Sequence, residues 1–451
     1  MGRFGLSIAF LLFAACGSVK DSGTVDAGPT GPDADTSGNA TVTTKGFVDG
    51  QTVGAVVADV DIISMLPNNT VLATAKTDAA GMATIKVFPG GSVVAIYKRI
   101  APDPAADVVV IGGVQPGDAL QFGRPQISSS AAGTNLGTQS YSWPAAPTAA
   151  VNSYRVQTSC AFVGVAAPTL STSAAQTSTC HKNPMDILYV AFTNTSPTTL
   201  HHCGTRQNVT FMPGANVPLF SWQTAGSFIA NITGLPASLG AGTNVTTELA
   251  IVLDDSTTAF LPGGFASGSA SGGAFTGNMR WCAAGERTQA ELSFVRPGFA
   301  RMRVLDAIDS TATSWTVASP VLPPWLERDS ATVSFARGKA QWSLVKEGNN
   351  ASDGVYVRIV YEVKSENFAS GQLHMLLPPG TEEVALPRLP AQYADQVYAQ
   401  DRDMFLSRVG VLEFPSIDSY DALRARGIGL AICPECAVRA GDLQRVIISG
   451  N

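Results

Sequence analysis

The chain has 451 residues, of which 45% are apolar and only 14% charged, with a formal net charge of −6. That length exceeds what one hydrophobic core usually holds, so two to four domains are expected. Charge is spread thinly and forms no basic cluster able to track phosphates, which argues against a nucleic-acid partner. The surface must instead be covered by Ser, Thr, Asn and Gln, a composition common in exported β-proteins.

Met1 and Arg3 supply a short positive start. Residues 6–15 are apolar apart from Ser7, and Phe13-Ala14-Ala15-Cys16 follows. A positive n-region, a short apolar h-region and small residues before a cleavage point make residues 1–15 a secretory signal. The apolar run is about half of the ~20 residues that a membrane-spanning helix needs. Ala14-Ala15-Cys16 resembles the lipobox of bacterial envelope lipoproteins, with Phe13 where that family usually has Leu. The resemblance implies cleavage before Cys16, lipid on its thiol and new amine, and a membrane partner reached through that lipid. Gly17 and Ser18 follow where an Asp tends to mark inner-membrane retention, so the same resemblance favours the outer membrane. Ordinary cleavage after Gly17 is the alternative. Residues 16–40 are rich in Gly, Asp, Ser and Thr and read as an acidic flexible tether.

From residue 41 the pattern is β. Runs at 41–48, 55–63, 70–77, 82–88, 92–97 and 108–111 are divided by Asp49-Gly50, Pro67-Asn68-Asn69, Asp78-Ala79-Ala80-Gly81 and Pro89-Gly90-Gly91. Such spacing predicts a β-sandwich over 41–124. Asp78 can accept turn amides, and Gly81 can supply a positive φ. The stretch Thr77-Asp78-Ala79-Ala80-Gly81 resembles the hairpin of carboxypeptidase-regulatory-like and related immunoglobulin-like domains. Residues 125–138 read as a linker. A second module, 139–216, holds Trp143-Pro144, 153–156 and 185–192, and is faintly similar to fibronectin type III modules. A third, 217–320, has strands near 227–232, 246–253, 289–295 and 300–305. The fourth, 321–451, follows Pro320, Pro323 and Pro324 with strands near 331–335, 340–344 and 355–363. Helix is expected over 418–426, with Ser416 or Asp418 as N-cap and Gly427 as stop, and more weakly over 391–398. The expected fold is all-β: multi-domain β-sandwiches, disulfide-stapled, with one or two short helices near the C-terminus.

Seven cysteines are present: Cys16, Cys160, Cys180, Cys203, Cys282, Cys433 and Cys436. With Cys16 as the lipid attachment, the other six form an even set suited to an oxidising compartment. Sequence neighbours favour Cys160 with Cys180, Cys203 with Cys282, and Cys433 with Cys436. Three readings stand for Cys433-Pro434-Glu435-Cys436: a local disulfide, a redox pair, or half a zinc site. No thioredoxin-like βαβ pattern precedes it and no second C-x-x-C exists, which favours the structural bridge.

His201-His202-Cys203, with His181 beside Cys180, suggests a metal cluster, but adjacent strand residues point to opposite faces. Surface-loop histidines are the favoured reading. With His374 these are all four histidines, and no G-x-S-x-G elbow accompanies them. The carboxylate pairs Asp254-Asp255, Glu382-Glu383 and Asp401/Asp403 read as turn or solvated positions. Asp49, Asp59, Asp61 and Asp78 are the residues that could hold Ca²⁺; no other cofactor is expected. The expected role is therefore binding, adhesion or scaffolding at the cell surface, without catalysis, with a polysaccharide or an envelope protein as partner. The alternatives are a secreted hydrolase with unrecognised catalytic residues and an accessory subunit of an export or assembly complex.

Overall fold

Alternation along short β-branched runs decides which face each strand buries. Gly38–Gly46 turns Ala40, Val42 and Thr44 inward, and Gly226–Thr233 buries Phe228, Ala230 and Ile232. The computed structural model describes residues 36–450 except 47–53, 100–104, 125–133, 179–182, 197, 237–238, 240–241, 254–256, 271–272, 284–286, 335–336, 348–349, 364–368 and 398–403. Signal residues 1–15, Cys16, most of the acidic segment, Asp49, Cys180, His181, Asp254, Asp255, Asp401 and Asp403 lie outside the described residues.

The fold is all-β and multi-domain. A 12-stranded sheet forms the backbone of the described chain. Its spatial order begins Thr257–Ser269, Asn244–Leu253, Arg287–Val295, Met302–Asp309, Arg445–Gly450 and Met404–Glu413. It continues Gly354–Val363, Ala369–Leu377, Ala106–Val114, Gly91–Lys98, Asp61–Met65 and Val71–Lys76. Smaller sheets lie against it. Met82–Val87, Gly38–Gly46 and Ala119–Arg124 form one, and Phe275–Trp281, Gly226–Thr233 and Ser314–Ala318 form another. The stretch 135–224 builds its own pair of sheets, of three and five strands.

The cores follow a different partition from the one the sequence suggests. Tyr141, Trp143, Tyr154, Ile187 and Tyr189 centre one core, and Phe228, Ile251, Leu292, Trp281 and Trp315 centre a second. The other two combine the start and the end of the chain. Val42, Val93 and Ile111 pack with Tyr356, Leu412 and Phe414 on one sheet face. Ile63, Val94 and Val108 pack with Val357, Leu373 and Met375 on the other. Expected as a free-standing sandwich, 41–124 is instead laddered to 321–450: Asp107–Ile111 run parallel to Gln372–Leu376. The physical reason is that Ala106–Val114 is buried on both faces along nearly its whole length. Such a strand needs covering layers on both sides and a paired neighbour on each edge.

Two boundaries shift. Strand Gly38–Gly46 starts inside the stretch read as tether, and Asn135–Ser142 starts inside the stretch read as linker. Helix α1, Tyr420–Arg426, is capped by Ser419, whose Oγ accepts the Ala422 amide, and ends at Gly427 with φ 91°. It is followed by α2, Gly429–Ile432, and α3, Pro434–Ala440. Where helix was expected over 391–398, only a 3-10 turn forms, at Ala391–Tyr393. Among the described residues no helix is long and apolar enough to cross a membrane.

Candidate functional site

A cleft of about 700 Å³ opens where the second and third β regions meet. One wall is the turn Asn194, Thr195, Ser196 and Thr198, which joins strands Met185–Thr193 and Thr199–Val209. The other is built by Gly263 and Phe265 of Thr257–Ser269, by Ser227, and by Asn278, Met279 and Arg280 of Phe275–Trp281. Strand alternation explains the second wall. Phe275, Gly277, Met279 and Trp281 point inward, leaving Asn278 and Arg280 outward, and Ser227 stands directly opposite Arg280 in the ladder.

Several contacts hold the walls together. Arg280 donates from Nε to the Leu200 carbonyl at 3.3 Å. Gln157 donates to the Thr258 carbonyl at 3.1 Å, and Arg155 to that of Phe260 at 3.3 Å. At Gly263, where φ is +72°, a Cβ would meet the Thr198 carbonyl at 2.9 Å, so the close approach of turn and strand depends on glycine. Cys203, on the first wall's strand, is bonded to Cys282, two residues beyond Arg280, with Cα atoms 6.3 Å apart. That staple fixes the spacing of the two walls.

The lining mixes neutral polar groups with apolar surface. It presents the hydroxyls of Thr195, Ser196, Thr198 and Ser227, the carboxamides of Asn194 and Asn278, and the Arg280 guanidinium. Phe265 adds an apolar surface that is 57% exposed. No carboxylate, imidazole or thiol lines it among the described residues. The arrangement can donate and accept many hydrogen bonds at once, but it offers no acid–base pair.

The residues singled out from sequence lie elsewhere. His201 and His202 are on strand Thr199–Val209, which corrects the surface-loop reading. His202 is buried and meets Thr148 Oγ1 at 2.8 Å, while His201 meets Thr193 Oγ1 at 2.7 Å. Burial, and then His201, holds the His202 imidazole below its ordinary pKa. His374 is fully enclosed, with Nδ1 2.6 Å from Tyr356 Oη and Nε2 3.0 Å from Gln372 Oε1. Burial pushes its pKa down to about 3, with Arg358 and Arg408 adding to the shift.

Asp59 and Asp61 are paired with Lys76, and Asp61 also with Lys98 at 2.9 Å. Asp78 accepts the Ala80 and Met82 amides at 2.9 and 2.8 Å. Glu383 pairs with Lys339. Among the described residues no group of three His, Cys, Asp or Glu side chains could hold a metal ion. Cys433 and Cys436 are bonded to each other, with Cys433 at the N-cap of α3 and Pro434 in its first turn. Cys160 is also disulfide-bonded.

Sequence reading missed the cleft entirely. Its residues are scattered over 194–280, and their only local signals are Gly263-Gly264 before an exposed aromatic and the alternation of Asn278 and Arg280 with inward neighbours.

No family model matches this sequence, and no curated protein matches it. Among solved structures, the Bacillus anthracis TIE protein is similar over 63% of this chain and 50% of its own, at 8% identity and TM-score 0.15. The chain thus spans about half the length of that structure. A Ca²⁺-stabilized adhesin of an ice-binding Antarctic bacterium is similar over 76% of this chain and 98% of its own, at 8% identity and TM-score 0.12. A streptococcal ancillary pilin is similar over 63% and 99%, at 7% identity and TM-score 0.16. At such TM-scores the likeness says nothing about what this chain binds.

Proposed function

We propose that this chain is a non-catalytic binding protein of the cell surface, anchored by lipid at Cys16, that holds a polysaccharide in the cleft around Asn278 and Arg280. The observation that carries the reading is the lining: four hydroxyls, two carboxamides and a guanidinium beside an exposed phenylalanine. Sugar rings present vicinal hydroxyls around a flat apolar face, and such a set of donors and acceptors complements them. The cleft also opens onto the outer face of the sheet formed by Phe275–Trp281, Gly226–Thr233 and Ser314–Ala318. There Asn278 faces Ile229, which in turn faces Ser314. That exposed strip, with the apolar Ile229 between two polar residues, extends the cleft's mixed surface over a length that suits a polymer better than a single sugar. The lipid anchor rests on the sequence around Cys16.

Affinity electrophoresis of the full chain in gels containing soluble polysaccharides tests the binding. At least one polysaccharide should retard the protein, and Asn278→Ala with Phe265→Ala should abolish the retardation. A panel that leaves migration unchanged, or polymer that is shortened by the protein, would overturn the reading. Cys16→Ser should in turn abolish labelling by a fatty-acid probe and release the protein from membranes.

A further inference from the structure

We infer that the cleft selects an acidic polysaccharide, one bearing carboxylate or sulfate groups, and that Arg280 is the residue that reads the anion. This rests on the polysaccharide reading of the same cleft. Several arginines elsewhere in the protein are committed to carboxylates, among them Arg99 to Asp107, Arg296 to Glu347, Arg303 to Glu291, Arg424 to Asp118 and Arg445 to Asp306, while others, such as Arg155, Arg206 and Arg408, donate to neutral carbonyls. Arg280 is half-buried and belongs to the second group, since the acceptor it meets among the described residues is the neutral carbonyl of Leu200; unlike Arg155, Arg206 and Arg408, it lines the cleft.

The contact to Leu200 uses Nε, so the terminal Nη groups make no hydrogen bond among the described residues, and no carboxylate stands among the lining residues. Glu248 stands across the ladder from Phe265, but its electrostatic neighbours are Glu291, Arg301 and Arg303. Among the described residues the cleft lining therefore carries one positive charge and no negative one, in a protein whose net charge is −6.

A guanidinium held by one nitrogen presents its remaining N–H groups in a fixed plane, the geometry that carboxylate and sulfate oxygens accept bidentately. Asn278 and Ser227 flank it on the same outward face, since Ser227 is its cross-strand partner and Asn278 is two residues along the same strand, so one sugar unit could meet all three. A neutral polymer would satisfy the hydroxyls and carboxamides and leave the charge without a counter-ion. An acidic one satisfies both.

Binding of the full chain to immobilised polygalacturonate and to its methyl ester, and to dextran sulfate and dextran, separates the possibilities. Within each pair the sugar backbone is retained and the anion removed. The acidic member should bind about 10-fold or more tighter at physiological salt, the size expected when a charge-assisted pair replaces a neutral one. Arg280→Gln should bring the ratio of acidic to neutral binding close to one, and Arg280→Lys should restore part of it. Preference for polygalacturonate alone or dextran sulfate alone also supports the inference and identifies the anion. Equal binding of acidic and neutral members by the unaltered chain overturns it while leaving the polysaccharide reading intact. No binding to either member of both pairs overturns the two together. Thermal unfolding of Arg280→Gln checks that the Leu200 contact is dispensable. If that variant is unfolded, the Arg280→Lys ratio decides, because an unchanged ratio there removes any role for the fork.

Discussion

Tyr361 donates its hydroxyl to the carbonyl of Ala106, 255 residues earlier in the chain, inside a core from which solvent is excluded. The bond ties strand Gly354–Val363 to strand Ala106–Val114 across the intervening Ala369–Leu377. The first and last β regions thus share one sheet and one core, and are expected to unfold together. Tyr361→Phe should cost about 1–3 kcal/mol, the price of leaving a buried partner unsatisfied. Hydrogen exchange should rise in both strands together. Faster exchange confined to Gly354–Val363 would mean that the two regions open independently.

Cys203 and Cys282 are almost fully buried, whereas Cys433 is only half-buried beside its buried partner Cys436. Graded reduction with alkylation and mass mapping should therefore open Cys433–Cys436 first, since exchange needs access to a sulfur. Replacing Cys203 and Cys282 together by Ala releases a closure spanning 79 positions. The chain-entropy model puts that loss at roughly 4.5 kcal/mol. Because the same bond spaces the cleft walls, polysaccharide affinity should fall with it. Unchanged affinity in a folded double variant would show that the hydrogen bonds alone hold the walls.

Gly81 closes the hairpin whose amides bind Asp78, with φ at +68° and a hypothetical Cβ 2.6 Å from Val56 Cγ1 and 2.8 Å from the Thr44 carbonyl. Gly81→Ala meets both backbone strain and a clash, so destabilisation of about 1–3 kcal/mol is expected by urea unfolding. A neutral result would mean that the 54–57 segment moves away freely.

How far the sequence could be read follows from the range of the interactions concerned. The Asp78–Gly81 turn, the strand beginning at Met82 and the Gly427 stop are written in neighbouring residues, and all three are where local chemistry places them. Ala369–Leu377, Met404–Glu413 and Arg445–Gly450 were not anticipated, although they fill the middle of the largest sheet. Their apolar runs have a period that depends on which faces are covered, and their neighbours are fixed by contacts hundreds of residues away. The cleft escaped for the same reason. Arg280 and Asn278 acquire meaning only when the Asn194–Thr198 turn is brought beside them by Cys203–Cys282 and the Leu200 carbonyl.

Two titratable groups, the half-buried Glu413 and the fully buried His374, act in opposite directions on stability. Burial, with Asp353 nearby, pushes the Glu413 carboxyl up to about 7, from an ordinary 4.5. The folded chain then holds that proton more tightly than the unfolded one. Its contribution is complete below pH about 4.5 and is lost as pH rises to about 7. His374 is the reverse case: its pKa is depressed to about 3, so the unfolded chain takes up a proton first as pH falls below about 6.5. Stability from its burial is present above that value and declines toward pH 3. Between about 4.5 and 6.5 the two slopes, each up to ~1.4 kcal/mol per pH unit, largely cancel. Glu413→Gln removes one of them. Its stability relative to the parent chain should rise between pH about 4.5 and 8, on the order of 1–3 kcal/mol after allowance for partial exposure. Urea unfolding of both proteins at those two pH values checks the sign. A difference that stays flat would show that Glu413 ionises at its ordinary pKa and that the decline at high pH has another source.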